Sequence, residues 1–256
     1  PDAALAAGAL TASLSATLLQ LAGGFAAPGA ELHEAGSEAE ALQLPPSLPP
    51  CRRVLRGASF SVALTCDGRC FAWTRPGLAP SSGAAGFSEE PRSVLPEGEV
   101  AVDAAVGEAH AAVLTERGRV WTLGRGPSSA LGRGAGSRAE GLSAAAPVPG
   151  LERVVQVDAG ATFTLCVDMA GSLWLFGEGP CTLGCLGVPH AVNEPRRVPP
   201  SVFQGRRVLA AACGEGHVLV LAAWDPACRL PQPGAWYARP GCDAAARRRS
   251  DSGNQP

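Results

Sequence analysis

The sequence predicts an all-β chain assembled from a stacked repeat, a propeller or solenoid array, on three observations. Glycines recur in phase, aromatic residues fall at fixed offsets from them, and each repeat carries two short apolar runs split by a polar turn. Gly57, Gly107, Gly160 and Gly214 stand 50, 53 and 54 residues apart (107−57, 160−107, 214−160). Three residues after each comes a ring: Phe60, His110, Phe163 and His217. Eleven residues after the first three comes a second glycine, Gly68, Gly118 or Gly171, and three beyond that Phe71, Trp121 or Trp174. Gly124 and Gly177 follow at matched offsets, with Thr74 in the first copy. A period near fifty residues is the signature of units that cannot bury their own apolar faces and stack to do so.

The best-formed copy runs from Gly107 to Gly134. Its apolar runs, His110 to Leu114 and Val120 to Leu123, are separated by Thr115-Glu116-Arg117-Gly118. That is the pattern of a tight hairpin in which glycine supplies the positive φ of the turn. The runs VALT, AAVLT and TLCVD are apolar without strict alternation, which suits strands covered on both faces. Trp121 and Trp174 are then expected as large fillers between neighbouring sheets rather than a ligand-binding aromatic box, because their spacing repeats with the fold.

In chain order, residues 3–30 are uncharged and rich in alanine and leucine. No basic region precedes them as a signal sequence requires. Thr11, Ser13, Ser15, Thr17 and Gln20, then Gly23-Gly24, interrupt them, which argues against a membrane span of roughly 20 apolar residues. A helical or irregular, degenerate element is expected there. Glu31 to Leu42 is acidic and helix-permissive, and Pro45-Pro46 to Pro49-Pro50 reads as a linker closing a segment 1–50. The array is expected from 51 to 224, and the proline-rich residues 225–256, ending in Arg247-Arg248-Arg249-Ser250, as a disordered tail. The triple arginine reads as solvated charge, with a nuclear address or a kinase recognition stretch as alternatives.

Composition narrows the function classes. The net charge of −2 argues against a nucleic-acid binder held by phosphate contacts. All 21 basic residues are arginine, which excludes lysine chemistry such as a P-loop or a Schiff base. The odd count of 9 cysteines weakens a fully disulfide-bonded reading. Cys66 with Cys70, and Cys181 with Cys185, form close pairs, but zinc needs four convergent ligands and the pairs fall in different repeats. Cys166 and Cys213 lie in apolar strands, where a thiol acts as a small hydrophobe.

The series in this chain, Gly107, His110, Gly118, Val120, Trp121, Gly124 and Leu131-Gly132-Arg133-Gly134, resembles the repeat of the regulator of chromosome condensation family. Gly160, Gly171, Leu173, Trp174, Gly177 and Leu183-Gly184-Cys185-Leu186-Gly187 form a second match, and Ala212-Cys213-Gly214-Glu215-Gly216-His217 opens another. The first copy has Phe71 for tryptophan and Thr74 for glycine. The resemblance implies a β-propeller, of seven blades in the family. Seven units of about 53 residues would need roughly 370. The expectation is therefore a partial, open β-propeller of about three to four four-stranded blades, completed by upstream blades, a longer chain or a partner.

No enzyme site is visible. His110 and His217 have the residue type of a general base, yet phenylalanine takes the same position at Phe60 and Phe163, so packing at a strand start is the expectation for all four. No catalytic residue, no cofactor ligand and no metal ligand is assigned. Gly124-Arg125-Gly126 and Gly132-Arg133-Gly134-Ala135-Gly136 lack the order and the following helix of phosphate loops, and Glu89-Glu90 with Glu108 forms no evident carboxylate pair. The expected task is a non-enzymatic protein-interaction scaffold, cytoplasmic or nuclear, acting through loops such as Arg75 to Pro96 and Gly134 to Pro149. The resemblance implies an alternative, guanine-nucleotide exchange on a small Ran-like GTPase through acidic loop residues. Here Ser59, Ala109, Thr162 and Gly216 precede the rings, with Glu108 and Glu215 one place earlier. A third reading is the targeting repeats of a larger ubiquitin ligase or kinase.

Overall fold

The computed structural model describes residues 31–32, 42–57, 60–74, 89–124, 128–134 and 143–223. The Ala-rich stretch 3–30, the tail 225–256 and most of the loops 75–96 and 134–149 lie outside them.

Three antiparallel four-stranded sheets follow one another along the chain, each a simple meander. The first blade holds β3 (Cys51–Arg56), β4 (Phe60–Thr65), β5 (Cys70–Thr74) and β6 (Arg92–Ser93). The second holds β7 (Ala101–Val106), β8 (His110–Thr115), β9 (Val120–Gly124) and β10 (Ser143–Pro147). The third holds β11 (Val154–Ala159), β12 (Phe163–Asp168), β13 (Leu173–Glu178) and β14 (Ala191–Arg197). A two-stranded half-blade, β15 (Arg207–Cys213) and β16 (Val218–Ala223), ends the arc. The expected partial propeller is therefore present, with blades of the expected strand number.

Every residue of β4 and β8 is buried, as apolar runs without alternation require when both faces are covered. Faces alternate along each strand. Ala111 and Val113 join the core shared with Val62 and Leu64 of the first blade, whereas Ala112 and Leu114 join the core of the third. Phe71, Trp121 and Trp174 occupy one register position, opposite Ala63, Val113 and Cys166. Each is half-buried and packs on an apolar cluster, Trp121 on the one it shares with the first blade. The Trp174 indole N–H donates to Asp168 Oδ2 at 2.9 Å.

The turn glycines join the blades. The backbone carbonyls of Gly68, Gly118 and Gly171 accept from the amides of Ala101 (2.7 Å), Val154 (3.0 Å) and Val208 (2.9 Å) on the first strand of the following blade. All three glycines have positive φ, 82°, 71° and 77°. A Cβ at Gly118 would also lie 2.8 Å from Arg153 Cα, so the position excludes a side chain for reasons of conformation and of space.

One expectation is refined. The linker Pro45 to Pro50 is packed on the array: Leu44 and Leu48 are each 3% exposed and cover Cys51, Ala63 and Trp73 on the outer face of the first blade. The ends of the acidic stretch pair as a short antiparallel ladder, β1 (Glu31–Leu32) with β2 (Leu42–Gln43), and residues 33–41 between them lie outside the described residues.

Gly118→Ala is expected to lower unfolding stability by about 2 kcal/mol or more, adding the positive-φ penalty to a backbone clash. Gly98→Ala, at φ 85° but with nothing within 4 Å of its Cβ, should cost only about 1 kcal/mol. Urea unfolding of the two variants checks the difference; equal losses would remove the inter-blade contact from the account.

Candidate functional site: the glycine rim and the axial polar residues

The first strand of each blade ends at Gly57, Gly107, Gly160 or Gly214, and these glycines define one end of the propeller. The four-residue hairpin turns define the other. At the glycine rim the Glu108 amide donates to the Ala161 carbonyl (3.1 Å), and the Ala161 amide donates to the Glu215 carbonyl (2.9 Å). Successive blades are thus tied at the rim through the backbone. A Cβ on Gly107 would collide with the Gly160 carbonyl and the His110 ring, so glycine permits this approach.

Exposed carboxylates sit on that rim. Glu108 and Glu215 flank the bonded Ala161, and their side chains are exposed. Glu178, at the end of β13, accepts from Ser129 Oγ (3.0 Å), while its backbone carbonyl accepts from Thr162 Oγ1 at 2.6 Å. Ser129 belongs to a single 3-10 turn, Ser128–Leu131, lent by the second blade to the third. The rim is therefore a set of acidic side chains on a backbone fixed by neighbouring sheets. Glu89 and Glu90 are also exposed.

The sequence candidates separate clearly. His110 is fully buried, and its Nε2 lies 2.9 Å from Thr164 Oγ1 of the third blade. Burial drives its pKa from 6.5 down to about 4, so the ring is neutral and serves as an inter-blade strut. Phe60 and Phe163 are buried at the matching position. His217 departs from the expectation: it is exposed and precedes β16, because among the described residues no blade follows to cover it. Arg133 extends from its glycine-rich loop to Thr122, donating to the backbone carbonyl and, at 3.1 Å, to Oγ1. Gly132 has φ 66° and faces the Phe176 ring so closely that a Cβ would lie 2.6 Å from it. Both are structural. Cys66 is exposed in a turn, and Cys70 is buried in β5, where burial pushes its thiol up to about 12. Cys185 ends a short helix, α1 (Pro180–Cys185), in the third blade. Burial also raises the Cys166 and Cys213 thiols.

Near the axis lie charged residues that sequence reading missed. The Arg53 guanidinium on β3 meets Asp103 on β7 at 2.6 Å, joining the first two blades. Asp103 Oδ1 also accepts from the Ala104 amide. Burial nevertheless raises its carboxyl from 3.8 to about 7, against the pull of Arg53. Burial raises Asp158 on β11 as well, while its oxygens accept from the Cys213 (2.7 Å) and Ala159 (2.9 Å) amides. Gln156 makes a reciprocal pair with the Ala211 backbone, donating at 2.7 Å and accepting at 3.1 Å. Polar side chains on first strands therefore tie the first blade to the second and the third blade to the half-blade.

Repeat geometry of this kind agrees with known proteins. The regulator of chromosome condensation (RCC1) repeat model matches residues 117–167 and 170–221. The chain carries regulator of chromosome condensation repeats. It is 29% identical over 173 residues to the human E3 ubiquitin-protein ligase HERC2, covering 64% of this chain and 3% of that protein. Mouse alsin is 30% identical over 180 residues, covering 66% of this chain and 10% of alsin. The chain thus spans a small part of these relatives. Among solved structures, Prp20p from Saccharomyces cerevisiae superposes with a TM-score of 0.58 at 18% identity, covering 81% of this chain and 49% of that one. The fold is shared with about half of that protein. No helix among the described residues is long and apolar enough to cross a membrane.

The buried titrating groups oppose one another. Asp103, with its raised folded pKa, holds its proton in the folded state, so its contribution to stability falls as pH rises from about 4 to 7. His110, with its lowered folded pKa, contributes stability that is lost as pH falls from about 6.5 to 4. Asp103→Asn should therefore make the slope of urea midpoint against pH more positive than in the parent, and His110→Phe more negative. Parallel slopes for all three proteins would contradict both assignments.

Proposed function

We propose that the repeats are a non-enzymatic docking platform within a larger polypeptide, cytoplasmic or nuclear, that presents the acidic glycine rim to a basic face of a protein partner. The observation that carries this reading is the pair of carboxylates, Glu108 on the second blade and Glu215 on the half-blade, held by the hydrogen bonds either side of Ala161 on the third blade between them. Carboxylates on an ordered backbone recognise a charged surface with little loss of conformational freedom. Support comes also from the company these repeats keep, in proteins as different as a ubiquitin ligase and alsin, where function is set by what the platform engages.

One further reading has its own support. The yeast relative's structure was described together with binding to Gsp1p and histones, and another relative, 32% identical over 126 residues, is the mouse regulator of chromosome condensation itself. Exchange on a small GTPase would use acidic rim residues, and Glu108, Glu178 and Glu215 are exposed there.

A panel of small GTPases loaded with fluorescent nucleotide, with core histones as a second panel, tests both. The platform reading expects saturable binding without faster nucleotide release, weakened at least tenfold, about 1.4 kcal/mol, by Glu108→Arg with Glu215→Arg, and weakened again at high salt. Accelerated release would establish exchange instead. Binding indifferent to both charge reversals would move the site away from the glycine rim.

A further inference from the structure

The hairpin turn of the third blade departs from the other two at a pair of positions. In each blade the residue after the second strand donates its amide to the carbonyl just before the first strand: Cys66 to Pro50 (3.0 Å), Glu116 to Val100 (2.9 Å) and Met169 to Arg153 (2.9 Å). The backbone contact is the same whatever the side chains. Pro50 and Val100 have no side-chain donor to offer across it, whereas Arg153 Nη2 donates to Met169 Sδ at 3.0 Å. Met169 is the one methionine in the chain. It packs on the third-blade core and is half-buried. With Glu152, Arg153, Asp168 and Ala170 it lines an open cavity of about 190 Å³, so a small solute can reach it.

The geometry around this contact is fixed. Arg153 stands at φ 54°, a left-handed conformation that residues with a Cβ seldom adopt and that concentrates at working sites. The turn is held from the half-blade, where Arg207 donates to the carbonyls of Met169 (3.2 Å) and Ala170 (3.1 Å). Asp168 is already engaged, accepting from the Ser172 amide (2.8 Å) and the Trp174 indole (2.9 Å). The guanidinium is therefore directed at a thioether, one of the weakest acceptors in a protein. A sulfoxide oxygen in its place is a polar acceptor, and its bond to a guanidinium is charge-assisted. We propose that Met169 is a site of reversible oxidation, at which a hydroperoxide converts the thioether to the sulfoxide and Arg153 holds the product. A sulfur lone pair attacks a peroxide oxygen and the O–O bond breaks. The oxygen now on sulfur gives its proton to the departing hydroxide, which leaves as water; sulfur is oxidised by two electrons and the peroxide is reduced. Methionine sulfoxide reductases run the return step. In an apolar core the new oxygen would disrupt packing, but at this turn it meets a donor that is already in place.

The test couples oxidation to the guanidinium. The full chain and Arg153→Asn, whose new residue tolerates positive φ, are treated with hydrogen peroxide, then with dithiothreitol to recover the thiols, and are unfolded in urea before and after. Met169→Leu, treated in the same way, reports any effect of the cysteines. Peptide mass spectrometry is expected to find one added oxygen on Met169 of the folded chain. Oxidation should raise the unfolding constant at least about fivefold more in Arg153→Asn than in the parent. Arg153→Lys should recover part of that difference, and a methionine sulfoxide reductase should reverse it. An equal effect of oxidation in the parent and Arg153→Asn would overturn the proposal. So would a Met169 that takes up oxygen only after urea has unfolded the chain.

Discussion

Backbone hydrogen bonds that pass from a hairpin turn to the first strand of the next sheet set the spacing of this array. Each needs a carbonyl brought against another blade's amide, and each is supplied by a glycine at positive φ: Gly68, Gly118 and Gly171. A side chain there would hold the blades apart and open the dry interface on which Leu114, Val154 and Leu165 depend. A single sheet of four short strands has two apolar faces and cannot bury either alone. Stacking is thus the condition for folding, and the turn glycine is the condition for stacking.

The parts of this arrangement that repeat were legible in the residues. Glycine phase located the turns, and the offset to Phe71, Trp121 and Trp174 located the third strands, because every copy needs the same turn and a filler at the same depth. What does not repeat stayed hidden. At the position four before each first-strand glycine stand Arg53, Asp103, Gln156 and Ala210, a series with no common chemistry. Its meaning appears only when the strands are brought beside one another and Arg53 meets Asp103. Leu44 and Leu48, set among prolines, have the composition of a linker. Their burial depends on Trp73, which no periodic pattern singled out. His217 shows the converse: it occupies a correctly identified ring position, yet its surroundings are decided by the unit that follows.

The buried charges and the rim carboxylates do different work in one scaffold. Asp103 and Asp158 are desolvated and bonded to backbone or to Arg53, so they fix how blades are juxtaposed while resisting ionisation. Removing one partner of such a pair leaves an uncompensated buried group, which is far costlier than losing an exposed one. Glu108 and Glu215 are solvated, and their charge is available to a partner. The same residue class is internal where the first strands run side by side and external where they end, a division created by the hairpin register and by the glycine that terminates each first strand.

An interaction platform must hold its loops in fixed relation, and in a stacked array that fixity is lent by neighbours. Glu108 is anchored from the third blade through Ala161, and Ala161 from the half-blade through Glu215. Glu215 has no such neighbour among the described residues, and it precedes β16, whose Leu219 and Leu221 are exposed. Rigidity at the rim should therefore decline from Glu108 toward Glu215. Stacking the blades and presenting the acidic rim are consequently one physical problem, because each rim carboxylate is held only as firmly as the neighbouring blade holds its backbone.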